Sequence, residues 1–266
     1  KTILSTGSPL SVEGFNFVYN KIKKDLMLAS ISGGSDINGC FALGNPMGPV
    51  YEGELQCRGL GMKVESYDEK GRPLFNRKGE LVCTAPVPSM PLYLWDDPDN
   101  LKYRSAYFNL YPGVWRQSDF IEINDHGGVI IYGRSDATLN PRGVRIGTAE
   151  IYRQLERFDE IEDSVIISQE WRNDIRALLF VKMAKGLALD EKMKGNIKSA
   201  LYENASPKHV PAKIISVQDI PYTQMEKKAE LAIKQVIQGH EILNRDSLKN
   251  PEALNYFIGL KELQED

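Results

Sequence analysis

The sequence predicts a partial α/β domain with a β-rich segment, followed by a small α+β domain at the carboxyl end. Three observations predict this class. A strand, an amphipathic helix and a second apolar strand follow one another within residues 2–32. Residues 44–113 contain eight of the fourteen prolines and short alternating segments typical of antiparallel hairpins. From residue 148 onward, helical and strand patterns alternate regularly, as in a compact α+β unit.

The first elements form an α/β step. A strand at residues 2–5 ends in a Gly-Ser-Pro turn, and a helix begins near Ser11. Its apolar residues recur with spacings of 3, 4 and 7 and are Phe15, Val18, Tyr19 and Ile22. The apolar strand LMLASIS follows, and residues 32–36 then predict a small, flexible turn. Ligands commonly bind at such a carboxyl end of a strand, although a plain turn explains the same residues equally well.

The middle of the chain predicts hairpins and two longer strands. The segment MKVESYDEKGRPLFNRKGELVCT alternates apolar and polar residues, as hairpin strands do. The segment VWRQSDF places Asp119 after a Trp and a Gln. GGVIIYG predicts a strand that leads to Arg134 and Asp136.

The remaining pattern places a domain boundary near Asp136, giving residues 1–135 and 136–266. The second part predicts helices at 148–158, 190–205 and 227–239, with strands at 163–169, 176–183 and 212–218. The last helix has one apolar face, formed by Ala229, Ala232, Ile233, Val236 and Ile237. The polar tail after His240 is expected to lie along the surface.

Composition excludes several classes of function. With a net charge of −3, the 266 residues offer nucleic acid no general attraction. No apolar run approaches the roughly 18 residues that a membrane span needs. The three cysteines form no CxxC pair, which argues against a disulfide framework or zinc site and favours a reducing cytoplasm. The three histidines have no metal-binding or triad spacing, so structural roles are expected for His126, His209 and His240.

The first residues, KTILSTGSPL, contain no initiator Met and already form a strand. This predicts that a larger part of the natural protein precedes Lys1, with a processed precursor as the alternative. The segment GRSDATLNPRGVRIGTAEIY groups four charged residues around a Pro-Arg-Gly turn: Arg134, Asp136, Arg142 and Arg145. A solvated surface hairpin explains that grouping, and an anion-handling site is the other interpretation.

Five separated motifs decide between these interpretations. In chain order they are TGSP, SGGSD, WRQSD, GRSDATLNPRGVRIGTAEIY and PYTQMEKKAE. Together they resemble the carboxyl-terminal part of the adenylate-forming acyl-CoA synthetases, and NPEALNYF resembles the branch that uses acetoacetate. The resemblance implies that fold, truncated at the amino end. It also implies two reaction steps: a carboxylic acid and ATP form an acyl-adenylate with Mg²⁺ present, and coenzyme A then displaces AMP.

The resemblance assigns the following nucleotide and substrate residues. Residues lying against the nucleotide are Gly7, Ser8, Pro9 and Ser35, with Asp119 on the ribose and Arg134 and Arg145 facing ribose and phosphates. Asp36 matches the Mg²⁺ ligand, since a carboxylate is a hard oxygen donor. Thr6, Gly33 and Gly34 match the acyl pocket. The two glycines leave room for acetoacetate, or for another short or branched acid.

Three further matches concern the second domain. Lys227 matches the mobile lysine that reaches the substrate carboxylate and α-phosphate, whereas its sequence position alone suggests an exposed lysine at a helix start. Asp136 matches the hinge about which the small domain rotates. Gly143, in the hairpin from Pro141 to Ile146, matches the residue that lets coenzyme A pass close to the backbone, and it also suits a tight turn.

Four residues depart from the family pattern. Ser8 and Asp36 stand where Glu is common, Tyr152 where Glu often ends the motif, and Glu226 where Gly usually precedes the lysine. An adjacent Glu226 carboxylate is expected to tether Lys227 or redirect its loop.

The sequence contains neither a Gly-rich, Ser/Thr-rich phosphate loop nor a GxxxxGK motif. We therefore expect the chain alone not to complete ligation and its phosphate loop to come from a missing upstream domain. The alternatives are a non-catalytic nucleotide- or CoA-binding or interaction module, and a ligase for another short-chain acid.

Overall fold

A computed structural model describes residues 1–136, 139, 146–172, 174–240, 242 and 245–264. The chain divides into two compact units, Lys1–Asp136 and Ala137–Asp266. Each unit buries its own apolar side chains. Within the described ranges, no helix combines the length and apolar character needed to cross a membrane.

The first unit opens with the predicted α/β step. Strand β1 (Thr2–Ser5) lies parallel to β2 (Met27–Ser30), and helix α1 (Val12–Phe17) connects them. The helix begins next to Ser11, near the predicted start, and Ser11 caps it, because its Oγ accepts a hydrogen bond from Gly14 N at 3.2 Å.

The predicted apolar face of α1 is wrong at its end. The helix continues as a π-helical turn, Val18–Ile22, in which Lys23 N donates to Val18 O at 2.9 Å. The wider turn changes the helical period, so Ile22 leaves the apolar face and is 58% exposed.

The flexible turn predicted over residues 32–36 is only half correct. Ser32–Gly34 forms strand β3, which pairs with β4 (Gly39–Leu43), and β4 pairs in turn with β5 (Cys57–Arg58). The turn itself comprises residues 35–38. A strand forms here because glycine lets β4 approach closely: a Cβ on Gly33 would lie 2.1 Å from Gly39 O.

The β-rich segment forms an antiparallel sheet, which confirms the predicted hairpins. In chain order its strands are β6 (Val64–Tyr67), β7 (Pro73–Leu74), β8 (Gly79–Cys83), β9 (Trp115–Ile123) and β10 (Val129–Arg134). They are arranged in the order β10-β9-β8-β6-β7. Leu81, Ile121 and Val129 are fully buried in the core beneath this sheet.

Helix α2 (Leu101–Tyr107) was not predicted. The Asp97 carboxylate accepts hydrogen bonds from Lys102 N at 3.0 Å and Tyr103 N at 2.9 Å, so it satisfies donors at the helix start. The prolines and turn residues that precede α2 mask its short pattern in the sequence.

The second unit contains all the elements predicted from residue 148 onward, with shifted ends. In order they are α3 (Thr148–Leu155), β11 (Ile161–Trp171), β12 (Asp174–Met183), α4 (Glu191–Asn204), β13 (Lys213–Ser216) and α5 (Glu230–Ile237). β12 lies between antiparallel β11 and parallel β13. Leu179 faces the core of α3 and α4, whereas Phe180 faces that of α5, because successive strand residues point to opposite faces.

The expectation of a polar surface tail is wrong. The short 3₁₀ helices Pro251–Phe257 and Lys261–Leu263 bury Leu254, Phe257 and Leu263. Phe257 contacts Phe180 edge to face, with ring centroids 4.9 Å apart. These apolar residues recur about every three positions, as the 3₁₀ period requires, within an otherwise polar stretch.

Candidate functional site

The WRQSD motif forms an irregular bulge in strand β9. Glu80 on β8 pairs with Phe120 and Val82 pairs with Arg116, so three residues of β9 lie opposite one residue of β8. Ser118, in the middle of the bulge, has a φ of 62°. Bulges of this kind redirect side chains away from the regular alternation of a strand.

Asp119 and Arg134 meet at this bulge. They pair in the β9–β10 register, and Arg134 Nη1 is 3.6 Å from Asp119 Oδ1. Asp119 is 13% exposed at its side chain, whereas Arg134 is 43% exposed. The sequence-predicted ribose ligand and phosphate-facing arginine are therefore neighbours.

Arg134 also holds the predicted hinge residue. Its Nε donates to Asp136 Oδ1 at 3.1 Å, and its Nη2 donates to Oδ2 at 2.7 Å. This bidentate pair is the geometry that suits a guanidinium and a carboxylate. Burial opposes the charge of Arg134, but the hydrogen bonds from Arg134 to Asp136 and the charges of Asp119, Asp136 and Glu80 raise the pKa of the guanidinium. Arg134 is therefore a fixed cation.

A buried carboxylate supports the end of β10. Glu80, which is 1% exposed, accepts a hydrogen bond from Ser135 Oγ at 2.6 Å. Arg116 Nε lies 3.0 Å from Glu80 Oε1, and Arg116 Nη2 donates to Ser135 Oγ at 3.0 Å. The backbone immediately before Asp136 is thus tied to the sheet by charged side chains.

Asp36, the predicted Mg²⁺ ligand, lies on the turn between β3 and β4 and is exposed. Its carboxylate accepts a hydrogen bond from the Tyr107 hydroxyl. Burial and this hydrogen bond raise the pKa of Tyr107, while the positive charge of Arg134 partly offsets the rise. Tyr107 stacks on Trp115 with ring centroids 3.7 Å apart, which fixes the position of its hydroxyl group.

The exposed Asp36 carboxylate suits a magnesium ion that is bound mainly by substrate phosphates and water. The described residues include no group of three or more His, Cys, Asp or Glu side chains that could hold a metal ion. Magnesium often binds through one or two carboxylates together with substrate phosphates and water, so an exposed carboxylate is compatible with that mode.

The two glycines predicted for the acyl pocket differ in their surroundings. A Cβ on Gly33 would meet backbone of β4, whereas a Cβ on Gly34 would meet the Gln117 amide nitrogen at 3.1 Å. Gln117 Oε1 accepts a hydrogen bond from Trp115 Nε1 at 3.0 Å. Gly33 is therefore required by strand packing, and Gly34 leaves space beside a polar side chain.

Gly7, Ser8 and Pro9, which are predicted to lie against adenine, follow β1 in a turn together with Thr6, which is predicted for the acyl pocket. Thr6, Gly7 and Ser8 are exposed and Pro9 is half-buried; Ser35 is also exposed on its separate turn. Gly7 has a φ of 96°, in the region that favours glycine, and no atom lies within 4 Å of a Cβ built there. The backbone conformation accounts for glycine at this position.

The hairpin predicted to meet coenzyme A has a defined base in the second unit. Leu139 and Ile146 exchange backbone hydrogen bonds of 3.0 and 2.9 Å, and each is 1% exposed. Pro141, Arg142, Gly143 and Arg145 lie outside the described residues.

Lys227 lies in an exposed loop before α5, which begins at Glu230, three residues later than the predicted helix start. Tyr222 and Lys228 pair at the base of this loop. Thr223 N donates to Lys227 O at 2.8 Å, and Lys227 N donates to Thr223 Oγ1 at 3.2 Å. The two ends of the loop are therefore hydrogen-bonded to each other, while the Lys227 side chain is exposed to solvent.

The neighbouring Lys228 has a different environment. Its Nζ donates to Asp163 Oδ1 at 2.7 Å and to the Ser164 carbonyl, and lies 4.3 Å from the centroid of the Tyr152 ring. Tyr222 Oη donates to the other Asp163 oxygen at 2.7 Å. Lys228 is consequently fixed in the unit by an ion pair and a cation–π contact.

Tyr152 joins α3 to α5 and β11. Its hydroxyl donates to Glu230 and accepts a hydrogen bond from Ile166 N at 3.2 Å. Burial and the Glu230 carboxylate raise the pKa of Tyr152 well above its ordinary value. The Tyr152 hydroxyl is thus hydrogen-bonded to both α5 and β11.

The expected tether between Glu226 and Lys227 is replaced by a different ion pair, because the Glu226 carboxylate contacts Lys249 Nζ. Glu226 has a φ of 57°, the left-handed region that favours glycine. It therefore adopts the backbone conformation that would suit a glycine at this position.

Sequence reasoning did not identify Tyr107 and Gln117 as functional candidates. Tyr107 lies on the unpredicted helix α2 and follows no recognisable signal. Gln117 stands within the WRQSD motif, where its position between Trp115 and Asp119 was a usable signal.

Comparisons with known proteins identify the relatives of this chain. It is 54% identical over 264 residues to an acetoacetyl-CoA synthetase from Rhizobium meliloti (strain 1021), covering 99% of this chain and 41% of that protein. It is 47% identical over 266 residues to an acetoacetyl-CoA synthetase from Rattus norvegicus, covering 99% of this chain and 40% of that protein. The chain is homologous to part of the acetoacetyl-CoA synthetases.

The solved structure of an acetoacetyl-CoA synthetase from Streptomyces lividans superimposes on the whole chain with a TM-score of 0.91 and 40% identity, and the chain covers 41% of it. The prediction of part of an adenylate-forming acyl-CoA synthetase fold is therefore confirmed. No protein-family profile matches the chain. The chain spans about two fifths of the length of these acetoacetyl-CoA synthetase relatives.

Proposed function

We propose that this chain is part of an ATP-dependent, AMP-forming acid–CoA ligase whose acid is acetoacetate. The single observation that carries the proposal is that Arg134, beside the β9 bulge, contacts two carboxylates: Asp119 at 3.6 Å and Asp136 at 2.7 Å. The acetoacetyl-CoA synthetase relatives support the choice of acid.

In the first step, an oxygen of the acid's carboxylate attacks the α-phosphorus of ATP. The bond from that phosphorus to the bridging oxygen breaks, and pyrophosphate leaves. Asp119 would accept hydrogen bonds from the ribose hydroxyls, because an ionised carboxylate accepts at both oxygens. Arg134 would face the ribose and phosphates, and Lys227 would place a compact cation between the two reactants.

In the second step, the thiolate sulfur of coenzyme A attacks the acyl carbon. The bond between that carbon and the phosphate oxygen breaks, and AMP leaves, while the thiol proton passes to solvent. The segment between the paired residues Leu139 and Ile146 is the proposed contact for coenzyme A, through Gly143, and Arg145 in the same segment would face the ribose and phosphates. Asp136 would be the pivot that exchanges Lys227 for this hairpin.

Three further sets of residues are proposed to bind the metal, the nucleotide and the acid. Asp36 would hold Mg²⁺, which supplies positive charge to the phosphates when bound. Gly7, Ser8, Pro9 and Ser35 would lie against the nucleotide, and Thr6 with Gly34 would border the acid.

The rest of the same polypeptide is proposed to supply the phosphate loop, since the sequence contains no such loop and the chain spans about two fifths of its relatives. We also propose a cytoplasmic location, because three cysteines without disulfide or metal spacing suit a reducing compartment. Cell fractionation of the natural protein tests that location.

The experiment that tests the function is acid-dependent exchange between ATP and labelled pyrophosphate by the complete protein that contains this chain. Exchange should require the acid, with acetoacetate giving the highest kcat/KM in a series that includes acetate and butyrate. The 266-residue chain assayed in parallel should give no exchange. A complete protein inactive with every acid would support a non-catalytic module instead, and exchange that needs no acid would contradict the proposed acid–CoA ligase. Preference for another acid would overturn only the choice of substrate.

A further inference from the structure

The Lys227 loop, defined as Thr223–Lys227, is held from outside by a second segment of the chain. This segment, Ser247–Asn250, lies alongside the loop, and Thr223 pairs with Leu248 in an antiparallel bridge. Gln224 contributes two hydrogen bonds, from its backbone N to Ser247 O at 3.0 Å and from Nε2 to Leu248 O at 2.9 Å.

The base of the loop is held by the same segment. Lys249 N donates to Tyr222 O at 2.8 Å, and Tyr222 N donates to Asn250 Oδ1 at 2.7 Å. The hydrogen bonds therefore continue from the base of the loop into its first turn, in the manner of an added strand.

The Ser247–Asn250 segment is itself anchored in the unit. Leu248 is 5% exposed within the core of α5. Asn250 Nδ2 donates to Asp219 Oδ2 and to Ile220 O, both at 2.9 Å. The chain then enters the 3₁₀ helix that buries Phe257 against Phe180. A segment anchored through Leu248, Asn250 and the following helix can transmit the rigidity of the core to the loop.

One side-chain contact reaches the residue next to Lys227. Glu226 holds a left-handed backbone conformation, which is unfavourable for a residue with a Cβ and persists only where the surrounding structure enforces it. Its carboxylate forms an ion pair with Lys249 of the segment. Both side chains are exposed, 66% for Glu226 and 54% for Lys249, so the ion pair contributes little to folding stability. Its main effect is to orient the loop backbone at Glu226.

We propose that Ser247–Asn250 is a positioning element that sets the path of the Lys227 loop for adenylation, with Lys249 and Asn250 as its positioning residues. This proposal rests on the proposed adenylation role of Lys227. A glycine at position 226 would leave the loop backbone flexible. The ion pair between Glu226 and Lys249 instead holds the loop in one conformation.

A charge-swap cycle in the complete protein tests the proposal. Lys249→Glu places two carboxylates together, and Glu226→Lys places two ammonium groups together. We expect each single variant to lower kcat for ATP–pyrophosphate exchange about fivefold, with the KM for ATP changed less than about twofold. Thioester formation from supplied acyl-adenylate should stay within about twofold of the parent. The double variant Glu226→Lys/Lys249→Glu should recover most of the lost exchange.

Two further variants complete the design. Lys194→Glu breaks another exposed ion pair of this unit, with Glu191 at 2.8 Å, and is the matched control that should leave both half-reactions unchanged. Asn250→Ala removes the hydrogen bonds to Tyr222, Asp219 and Ile220 and should lower exchange selectively. If Asn250→Ala does not fold, the exposed pair still decides the matter.

The proposal is overturned if the single swaps leave exchange unchanged, if they lower both half-reactions alike, or if the double variant does not recover. Lys227→Ala, measured alongside, keeps the two hypotheses apart. If it retains exchange, the proposed role of Lys227 fails. If it loses exchange while the swaps have no effect, only the positioning proposal fails.

Discussion

Arg134 lies opposite Asp119 across the β9–β10 hairpin, and its Nη1 is 3.6 Å from the Asp119 carboxylate. The same guanidinium forms a bidentate pair with Asp136. One fixed cation therefore connects the proposed ribose ligand to the proposed hinge. Any movement of the Asp136 side chain must either break this pair or carry Arg134 with it.

Asp119→Asn tests the ribose assignment. Asn keeps the shape of the side chain but loses the charge and one acceptor, and a hydrogen bond to a charged group contributes about 1.5–3 kcal/mol. We expect the KM for ATP of the complete protein to rise roughly 10- to 100-fold in steady-state kinetics. Glu122→Gln, on the same strand, is the control and should leave KM unchanged. An unaltered KM in Asp119→Asn would refute the assignment.

The two glycines of β3 predict opposite outcomes for alanine substitution. Gly33→Ala places a Cβ 2.1 Å from Gly39 O, so β3 or β4 must move, and we expect a loss of about 1–3 kcal/mol or more in the free energy of unfolding. Gly34→Ala places a Cβ 3.1 Å from the Gln117 side-chain nitrogen and 3.6 Å from Ile37 Cγ2, contacts that a small side-chain shift relieves, so it should retain stability. It should also lower kcat/KM for acetoacetate more than for acetate. Urea unfolding and acid competition measure these effects, and a stable Gly33→Ala protein would contradict the packing argument.

Two adjacent lysines should differ in their contribution to stability. Lys228→Ala removes an ion pair, a backbone hydrogen bond and a cation–π contact, and leaves the Asp163 carboxylate half-buried. We expect the free energy of unfolding to fall by about 1–3 kcal/mol. Lys227→Ala removes an exposed side chain and should change stability by less than about 0.5 kcal/mol. Equal losses in chemical denaturation would show that Lys227 is also held in place.

The anchor of the Ser247–Asn250 segment predicts a dependence on pH. Burial tends to raise the pKa of Asp219, but hydrogen bonds from Asn250 and Lys182 lower it below its ordinary value. A carboxyl with a lowered pKa in the folded state stabilises the protein above its unfolded pKa, and loses that contribution as pH falls through the folded value. Stability should therefore decline as pH falls from about 5 toward 3, and less steeply in Asp219→Asn.

The matched control for this titration is Asp159→Asn, which changes an exposed carboxylate in the same unit. Urea midpoints measured across the pH range should follow the parent protein in the control. Parallel curves for Asp219→Asn and the parent would contradict the assigned contribution of Asp219.

The second unit was the most predictable part of the fold. Its strands and helices carry long apolar periods, and Leu179 and Phe180 alternate between two faces as the pattern requires. The short elements were less predictable, because α2 depends on Asp97 accepting backbone hydrogen bonds and β3 depends on a close backbone approach at Gly33. Neither contact has a periodic signature.

In the candidate site, too, the motifs predicted which residues matter but not the contacts that position them. The motif WRQSD located Asp119, but it could not indicate that a bulge with Ser118 in a left-handed conformation turns Asp119 toward Arg134. The Lys227 motif located the loop. The side chains that hold it, including Lys249 and Asn250, come from more than twenty residues further along the chain. The spacing of residues within the motif therefore could not predict these contacts.

The central claim is that Lys227 supplies the charge needed for adenylation alone, and the two half-reactions of Lys227→Ala in the complete protein test it most directly. We predict that ATP–pyrophosphate exchange falls at least about 100-fold, because a cation between two anionic reactants contributes several kcal/mol to the transition state. Conversion of supplied acyl-adenylate to the thioester should remain within about threefold of the parent. Retained exchange, or an equal loss in both half-reactions, would contradict the claim.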